Sequence, residues 1–189
     1  MQITFWGVRG SIAVAAKSHR RYGGNTPCVH VSAGGQEIVF DSGTGIRPLG
    51  VELLRRDVRH ATLMLSHTHW DHIQGFPFFA PAFDPNRTLR ILAGHLPKGS
   101  GIRTVLAGQM AQPTFPVPLE IMRGSLTFED FVAGDTFSLG EVKVRTAPLN
   151  HPNGATGYRL EHAGASMAYV TDTEHTPGKL DQNIIDLIE

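Results

Sequence analysis

The fold of this chain is decided by the stretch ATLMLSHTHWDH, residues 61–72. Its first half is a short apolar run, which predicts a β-strand over Ala61–Ser66. His67 and His69 follow at once, and residues two apart on an extended chain project to the same side. Because imidazole nitrogens suit zinc and related divalent metals, the two histidines can hold one ion together at the strand end.

Asp71 and His72 close the same cluster. Trp70 lets the chain turn, so that this carboxylate and a third imidazole are offered to a neighbouring position. The alternative is a solvent-exposed loop that is rich in histidine by accident. A chance match to H-x-H-x-D-H is on the order of one in a thousand for a chain of 189 residues with 10 histidines. The pattern therefore predicts a metal centre.

Two further residues complete the candidate set, and each is tied to the end of a predicted strand. His151 comes after the strand Glu141–Ala147, and Asp172 ends the strand of residues 168–172. Functional side chains are often found where a strand on a rigid scaffold gives way to a loop. Taken singly, either would be an ordinary loop residue, but beside the cluster at 67–72 they are the natural remaining ligands.

The rest of the chain predicts one α/β sandwich domain over residues 1–189. Runs of strands interrupted by helices, with hairpins in each half, favour a sandwich over a doubly wound parallel sheet. The predicted strands are 2–6, 27–33, 36–40, 61–66, 88–93, 125–128, 136–139, 141–147, 156–161 and 166–171, and the predicted helices are 46–56, 102–110 and 180–188.

Composition excludes several classes of protein. With 41 % hydrophobic residues, 18 % charged residues and no net charge, the chain is typical of a globular domain. A uniformly basic nucleic-acid surface is not indicated, although a local patch could exist. No apolar stretch is long enough to cross a bilayer, and residues 1–6 lack the pattern of a signal peptide. Because Cys28 is the only cysteine, a reducing cytoplasm is expected.

Taken in order, the motifs resemble those of the metallo-β-lactamase superfamily over nearly the whole chain. Asp41, the H-x-H-x-D-H cluster, His151 and Asp172 match the family's first four motifs. The resemblance implies an αβ/βα sandwich with two divalent ions at one sheet edge. Zn²⁺ is expected, with Mn²⁺ or Fe²⁺ as alternatives.

The resemblance also implies a role for each residue. The first ion would be held by three histidines, and the second by a carboxylate and a histidine, with another carboxylate bridging the two ions. In that order the residues are His67, His69 and His151, then Asp71 and His72, then Asp172. Asp41 would keep the metal-bearing loop in place, and the alternative is a turn residue that caps the helix at Ile46.

Within the superfamily, the chain is similar to ribonuclease Z and related phosphodiesterases. His72 is retained and is followed by IQGFP at 73–77, whereas drug-hydrolysing lactamases generally replace this histidine or recruit a cysteine. Cys28 lies too early in the chain to be that ligand. The motifs WGVRGS at 6–11 and YGGNT at 22–26 are similar to those of a bacterial subgroup of metal-dependent hydrolases.

The chemistry implied is hydrolysis by a metal-activated water. Two ions about 3.5–4 Å apart can lower the pKa of a shared water, orient it for in-line attack and stabilise the departing oxygen. Asp71, or the bridging hydroxide itself, would manage the proton. The expected substrate is a phosphodiester, either a small molecule or a nucleotide or nucleic acid. Another ester, a thioester or a lactone could use the same centre, and a non-catalytic metal-binding or signalling module is the competing class.

Further expectations concern substrate contacts and partners. Arg9 could meet a substrate phosphate, although a solvated loop arginine is the alternative. His95 follows a strand and could line the cleft, although a surface histidine is the alternative. No membrane partner is expected, and a homodimer is left open.

The end of the chain departs from the family pattern. Only 17 residues follow Asp172, and the family's last strands, helix and final histidine have no counterpart among them. The chain is then either a fragment of a longer protein or a short form. In a short form, His175 could complete a weaker second metal site, and the alternative is that His175 is a surface residue.

Overall fold

The computed structural model of the chain describes residues 1–97 and 99–189 and contains two β-sheets. The first sheet has six strands, which lie side by side in chain order: β1 (Gln2–Gly7), β2 (Cys28–Ala33), β3 (Gln36–Phe40), β4 (His60–Leu65), β5 (Thr88–Ala93) and β6 (Ser125–Asp130). The second sheet contains β7 (Thr136–Leu139), β8 (Val142–Leu149), β9 (Ala155–His162) and β10 (Ala165–Tyr169), in the order β10-β9-β8-β7. The α-helices are α1 (Ile46–Arg55), α2 (Trp70–Ile73), α3 (Ile102–Gln109) and α4 (Gln182–Ile188).

Strand direction explains where functional side chains gather. β3, β4, β5 and β6 run parallel to one another, whereas β1 and β2 join them through antiparallel pairs. The second sheet is antiparallel throughout. The carboxyl ends of β3, β4 and β5 therefore lie at one edge of the first sheet, which is the edge where open α/β sheets bind ligands.

Alternation along the parallel strands builds a core on both faces of the first sheet. Successive side chains on a strand point to opposite faces, and both faces of a covered parallel sheet are apolar. On the helix side lie Val39, Leu63 and Ile91, while Phe40 and Met64 face the second sheet. All five are fully buried, so the layers run helix, sheet, sheet and helix.

The helices cover the outer faces of the two sheets. The apolar side of α1 buries Leu49 and Leu53 against the first sheet, which explains its helical spacing of apolar residues. Helix α4 packs on β8, β9 and β10. Arg145 and Arg159 donate to carbonyl groups in its last turn, where the helix dipole favours positive charge. Within the described residues, no helix has the length and apolarity that a bilayer crossing needs.

The predicted sandwich agrees with the structure, and three local predictions are corrected. Strand β10 ends at Tyr169, so Asp172 lies in the following loop rather than at the strand end. Trp70, where the sequence predicted a turn, is the first residue of the short helix α2. Asp41 does not cap α1, because the residue at the N-cap is Gly45 and the Asp41 carboxylate bonds elsewhere.

Candidate metal centre

Six chain segments converge at the carboxyl edge of the first sheet. Four follow β1, β3, β4 and β5, and two follow β8 and β10 of the second sheet. The sheets are tied together here, because Tyr158 donates its hydroxyl to the carbonyl of Leu65 at 2.6 Å. The Thr156 amide likewise donates to the carbonyl of Ser66 at 2.8 Å. The loops of both sheets are therefore held at one place.

His67 and His72 form the buried floor of this site. Their side chains are 1 % and 0 % exposed, and their ring centroids lie 4.1 Å apart. The Nδ1 atom of His67 lies 3.0 Å from the Ser66 hydroxyl, and that of His72 lies 2.8 Å from a carboxylate oxygen of Asp41. Both Nε2 atoms are buried without a hydrogen-bond partner among the described residues.

Asp41 is the anchor beneath that floor. Its carboxylate is fully buried and accepts hydrogen bonds from the Ser66 amide at 2.7 Å, from the Ser66 hydroxyl at 2.8 Å and from the Tyr169 hydroxyl at 2.7 Å. His72 supplies the fourth donor. A carboxylate behind an imidazole is the usual support for a metal-binding histidine, since it fixes the ring and raises its basicity. The φ of 60° at Asp41 is a left-handed backbone conformation, which in a residue other than glycine often marks a functional site.

A glycine lets the metal-bearing segment approach the loop after β3. The Ser42 amide donates to the carbonyl of His72 at 2.7 Å, and the Gly75 amide donates to the carbonyl of Ser42 at 2.8 Å. A Cβ at Gly43 would collide with the backbone oxygen of Asp71. Only glycine therefore fits where the two segments cross.

Three imidazoles form the first group of possible metal ligands. One ring nitrogen from each of His67, His69 and His151 lies within 4.8 Å of the other two. The Nε2 atom of His151 is 3.1 Å from the Nδ1 atom of His69. The Nδ1 atom of His151 is buried without a partner among the described residues.

The second group contains His67, His72 and Asp172, again within 4.8 Å of one another. The Asp172 carboxylate lies 3.5 Å from Nε2 of His72 and 3.8 Å from Nε2 of His67. It is also 3.9 Å from Nε2 of His151, so it faces both groups. Asp71 lies beside this group, with its Oδ2 atom 3.6 Å from Nε2 of His72 and 2.7 Å from the Ser11 amide.

The electrostatics of the buried pair are those of a site made for a cation. Burial lowers the pKa of His67 to about 3, helped by repulsion from His72, so its ring stays neutral. Burial also opposes protonation of His72, but the hydrogen bond and charge of Asp41 outweigh it and raise the pKa of that ring. Burial works against the charge of Asp172 as well, yet its bond to Thr171 and the nearby histidines lower its pKa. The carboxylates that favour a positive charge on His72 would also favour a bound metal ion.

These residues fit a divalent metal. Buried polar atoms normally have hydrogen-bond partners, so two orphaned imidazole nitrogens next to a carboxylate call for an explanation. Divalent ions bound at the two groups would satisfy both nitrogens, and histidine with carboxylate is a ligand set of zinc and similar metals.

The structure does not bring every sequence candidate to the metal groups. His95 lies next to the site, where its Nε2 atom is 3.1 Å from the Thr68 hydroxyl and burial lowers its pKa to about 4. Arg9 lies on the loop after β1, and its Nε atom is buried without a partner among the described residues. His175 is exposed and belongs to neither group. The structure therefore favours the surface alternative for His175.

Three residues that contact the candidate ligands or their support Asp41 were not predicted from the sequence. Ser66 bridges Asp41 and His67, Tyr169 donates to Asp41, and the Ser11 amide holds Asp71. Ser66 directly precedes the histidine cluster and Ser11 lies in the glycine motif at 6–11, so position was the available signal. Nothing in the local sequence distinguishes Tyr169 from a strand residue.

Comparison with known families agrees with this fold and site. Residues 36–187 match the family model described as the Beta-lactamase superfamily domain. Because that match covers most of the chain, the protein belongs to the beta-lactamase superfamily. The resemblance predicted from the H-x-H-x-D-H cluster is thereby confirmed.

Curated relatives are ribonuclease Z proteins. The chain is 25 % identical over 191 residues to ribonuclease Z of Haloarcula marismortui, covering 96 % of this chain and 50 % of that protein. It is 30 % identical over 127 residues to ribonuclease Z of a Bradyrhizobium species, covering 64 % of this chain and 38 % of that protein. The chain spans about half the length of the curated relatives it matches, or less.

Solved structures confirm the αβ/βα fold. The metallo-beta-lactamase fold protein YhfI from Bacillus subtilis has a TM-score of 0.65 at 15 % identity, with 93 % of this chain and 64 % of that chain covered. Human tRNase Z, short form, has a TM-score of 0.64 at 15 % identity, with 99 % and 74 % covered. At such identities the likeness is one of fold.

Proposed function

We propose that this protein is a metal-dependent phosphodiesterase. The observation that carries the proposal is the pair of buried Nε2 atoms on His67 and His72, which lack partners among the described residues and face the carboxylate of Asp172. Two adjacent ligand groups with a carboxylate facing both support a catalytic centre over a module that only binds metal.

The chain's own residues prepare the site. Asp41 and Ser66 occupy the Nδ1 atoms of His72 and His67, which leaves both Nε2 atoms available as ligands. His69 and His151 would complete a three-imidazole set, a sufficient set for a catalytic zinc. A second ion would take His72, Asp172 and Asp71. Divalent ions bound here would supply an activated water and charge stabilisation on the phosphoryl oxygens.

Asp71 is the proposed proton acceptor. Its Oδ2 atom accepts from the Ser11 amide at 2.7 Å, and its side chain is largely shielded from solvent. A carboxylate held in this way keeps one geometry towards the site. A proton leaving the attacking water would pass to this carboxylate, while Asp172 balances charge between the two ligand groups.

The substrate class is supported by the relatives and by the ligand set. The curated relatives are named ribonuclease Z. The chain also has the Asp71-His72 pair at the end of the H-x-H-x-D-H cluster, the feature by which its sequence resembles phosphodiesterases. A phosphodiester needs charge stabilisation on both its attacking and its leaving oxygen, which two adjacent groups that share His67 can provide. Zinc is the proposed metal because imidazoles dominate the ligands, and Mn²⁺ is the main alternative.

Hydrolysis of bis(p-nitrophenyl) phosphate by protein loaded with Zn²⁺ or Mn²⁺ tests the proposal. We expect turnover that disappears with a chelator and returns with metal. Asp71→Asn should lower kcat about 10²–10⁴-fold, the usual contribution of a positioned acid or base. The matched control is Asp186→Asn on the exposed face of α4, which should keep the wild-type rate. Equal rates in the two variants would contradict the role of Asp71.

A substrate panel tests the class of bond. The metal-loaded protein should hydrolyse phosphodiesters faster than β-lactams, thioesters or lactones at equal concentration. A clear preference for one of the others would replace the phosphodiesterase proposal by that activity. Absence of turnover with every substrate, together with tight metal binding, would favour a metal-binding module.

A further inference from the structure

The segment 8–25, which we call the basic loop, carries a clear excess of positive charge. It contains four cationic side chains and no acidic one: Arg9, Lys17, Arg20 and Arg21. The whole chain has 17 basic and 17 acidic residues, so the rest is left with 13 basic against 17 acidic ones. The neutral total therefore hides a local positive patch of the kind that attracts polyanions.

Three of the four cations of the basic loop are exposed and form no ion pair among the described residues. Lys17, Arg20 and Arg21 lie on the surface, and the ion pairs of the described residues include none of them. By contrast, most arginines of the sheets and helices pair with carboxylates. Examples are the pairs Arg55–Glu52, Arg90–Glu129 and Arg103–Glu120. Cations without an internal partner are free to bind an external anion.

The basic loop is fixed beside the candidate metal centre. At its root, the amides of residues 8 and 9 donate to the carbonyl of Asn25 at 3.0 and 2.9 Å. Further out, the Val14 amide donates to the carbonyl of Gly24 at 2.9 Å. Between these two rungs, the Ser11 amide contacts Asp71 at 2.7 Å. Lys17 is only six residues beyond Ser11, so it lies within about 20 Å of that contact.

The loop also presents an aromatic surface among its cations. Tyr22 is 70 % exposed, and the guanidinium of Arg21 lies 5.1 Å from the centre of its ring. An exposed tyrosine with a flanking arginine is a stacking platform for an unpaired base, and such stacking tolerates any sequence. Single-stranded nucleic acid offers both the phosphates and the open bases that this combination fits.

We propose that the basic loop binds a single-stranded nucleic acid. It would hold the backbone phosphates that flank the phosphodiester at the metal centre. The inference rests on the proposed function and deepens it, because it makes the substrate a polynucleotide rather than a small phosphodiester. Lys17, Arg20 and Arg21 contact backbone phosphates and Tyr22 stacks on a base. A lipid surface would not require the contact between Ser11 and Asp71, which orients the loop towards the site.

Binding without turnover tests this inference. The probe is a fluorescein-labelled 12-nucleotide single-stranded RNA, and fluorescence anisotropy measures Kd in chelator at several salt concentrations. The variant is the triple charge reversal Lys17→Glu, Arg20→Glu, Arg21→Glu. Each phosphate contact on a single strand contributes a slope of about 0.7 in log Kd against log salt. The variant should therefore reduce the slope by about two and weaken binding on the order of a hundredfold at 0.1 M salt.

A second triple reversal with the same charge change serves as the control. Arg55→Glu, Arg123→Glu and Lys143→Glu alter exposed residues away from the site, since Arg55 ends α1 and Arg123 precedes β6 at the opposite sheet edge. This control should bind the RNA within about threefold of wild type. Tyr22→Ala should weaken binding about tenfold without changing the salt slope, because it removes stacking and no charge. The milder triple Lys17→Gln, Arg20→Gln, Arg21→Gln repeats the test if the reversal disturbs folding.

Each outcome decides between the inference and the function on which it rests. If both triple reversals bind RNA equally, or wild type does not bind it, the inference is wrong, whatever the rate on bis(p-nitrophenyl) phosphate. If wild type prefers vesicles of phosphatidylserine to RNA through the same residues, the loop is a membrane contact and the inference is wrong. If RNA binding depends on the loop while no diester is hydrolysed, the inference stands and the proposed function fails.

Discussion

Asp41→Asn is the most informative single substitution, because it changes one atom of a buried carboxylate and keeps its size. The wild-type carboxylate accepts from the Ser66 amide and hydroxyl, from Tyr169 and from His72, all within 2.7–2.8 Å. An amide cannot accept four such bonds, because one end of it is a donor. Whichever way the new side-chain amide is oriented, at least one donor of these neighbours is left facing an NH₂ group.

The size of the effect follows from burial. Hydrogen bonds to a charged group contribute about 1.5–3 kcal/mol each, and a buried donor without an acceptor costs about 1–3 kcal/mol. Asp41 is fully buried, so solvent cannot replace the lost bonds. We therefore expect Asp41→Asn to lower the free energy of unfolding of the metal-free protein by about 3 kcal/mol, which for a domain of this size lowers Tm by about 6–12 °C.

The same substitution should weaken metal binding, because it loosens and neutralises the support of His72. Loss of a hydrogen-bond partner behind a metal ligand typically costs about 10–100-fold in affinity. Urea unfolding in chelator and Zn²⁺ titration by calorimetry measure the two effects separately. Tyr169→Phe is the matched control, since it removes one donor to the Asp41 carboxylate, leaves the other three in place and should cost about 1.5 kcal/mol. If Asp41→Asn matched wild type in both measurements, the assigned role of Asp41 would be wrong.

Three further predictions concern histidines at different distances from the site. His69→Ala should abolish tight metal binding and hydrolysis, because only His67 and His151 of the first group remain. The chain should stay folded, because the His69 side chain is partly exposed. Full metal content in this variant by elemental analysis would refute the ligand assignment. His175→Ala should leave every step of a Zn²⁺ titration unchanged, because the residue belongs to neither group; a selective change in the weaker step would show that it is recruited. His95 has a pKa of about 4 in the folded protein, so the unfolded chain binds a proton first as pH falls below 6.5. The metal-free protein should therefore lose up to about 2 kcal/mol from this group between pH 7 and pH 5, and His95→Gln should show a smaller loss in urea unfolding.

The core and the ligand cluster could be predicted from the sequence because both depend on local patterns. Short apolar runs within Gln36–Phe40 and Thr88–Ala93 predict strands without knowledge of their partners. His67 and His69 are neighbours on one strand end, so their shared direction follows from the period of an extended chain. The sandwich, the candidate ligands and the family resemblance therefore follow from local sequence patterns.

The supporting contacts depend on separations that no local pattern encodes. Ser11 meets Asp71 across 60 positions, and Tyr169 meets Asp41 across 128. These contacts arise only when the two sheets pack and bring their loops to one edge. The family resemblance assigned His67 to one ion, whereas its ring nitrogen belongs to both ligand groups.

The central claim is that ions bind in the two groups that share His67, and anomalous scattering at the zinc edge tests it most directly. Crystals of the protein loaded with Zn²⁺ should show one strong peak among the ring nitrogens of His67, His69 and His151. A second, weaker peak should lie by His72 and Asp172, with Asp71 beside it. The first peak should vanish in His69→Ala. A peak elsewhere in the molecule, or one that persists at full height in this variant, would contradict the account.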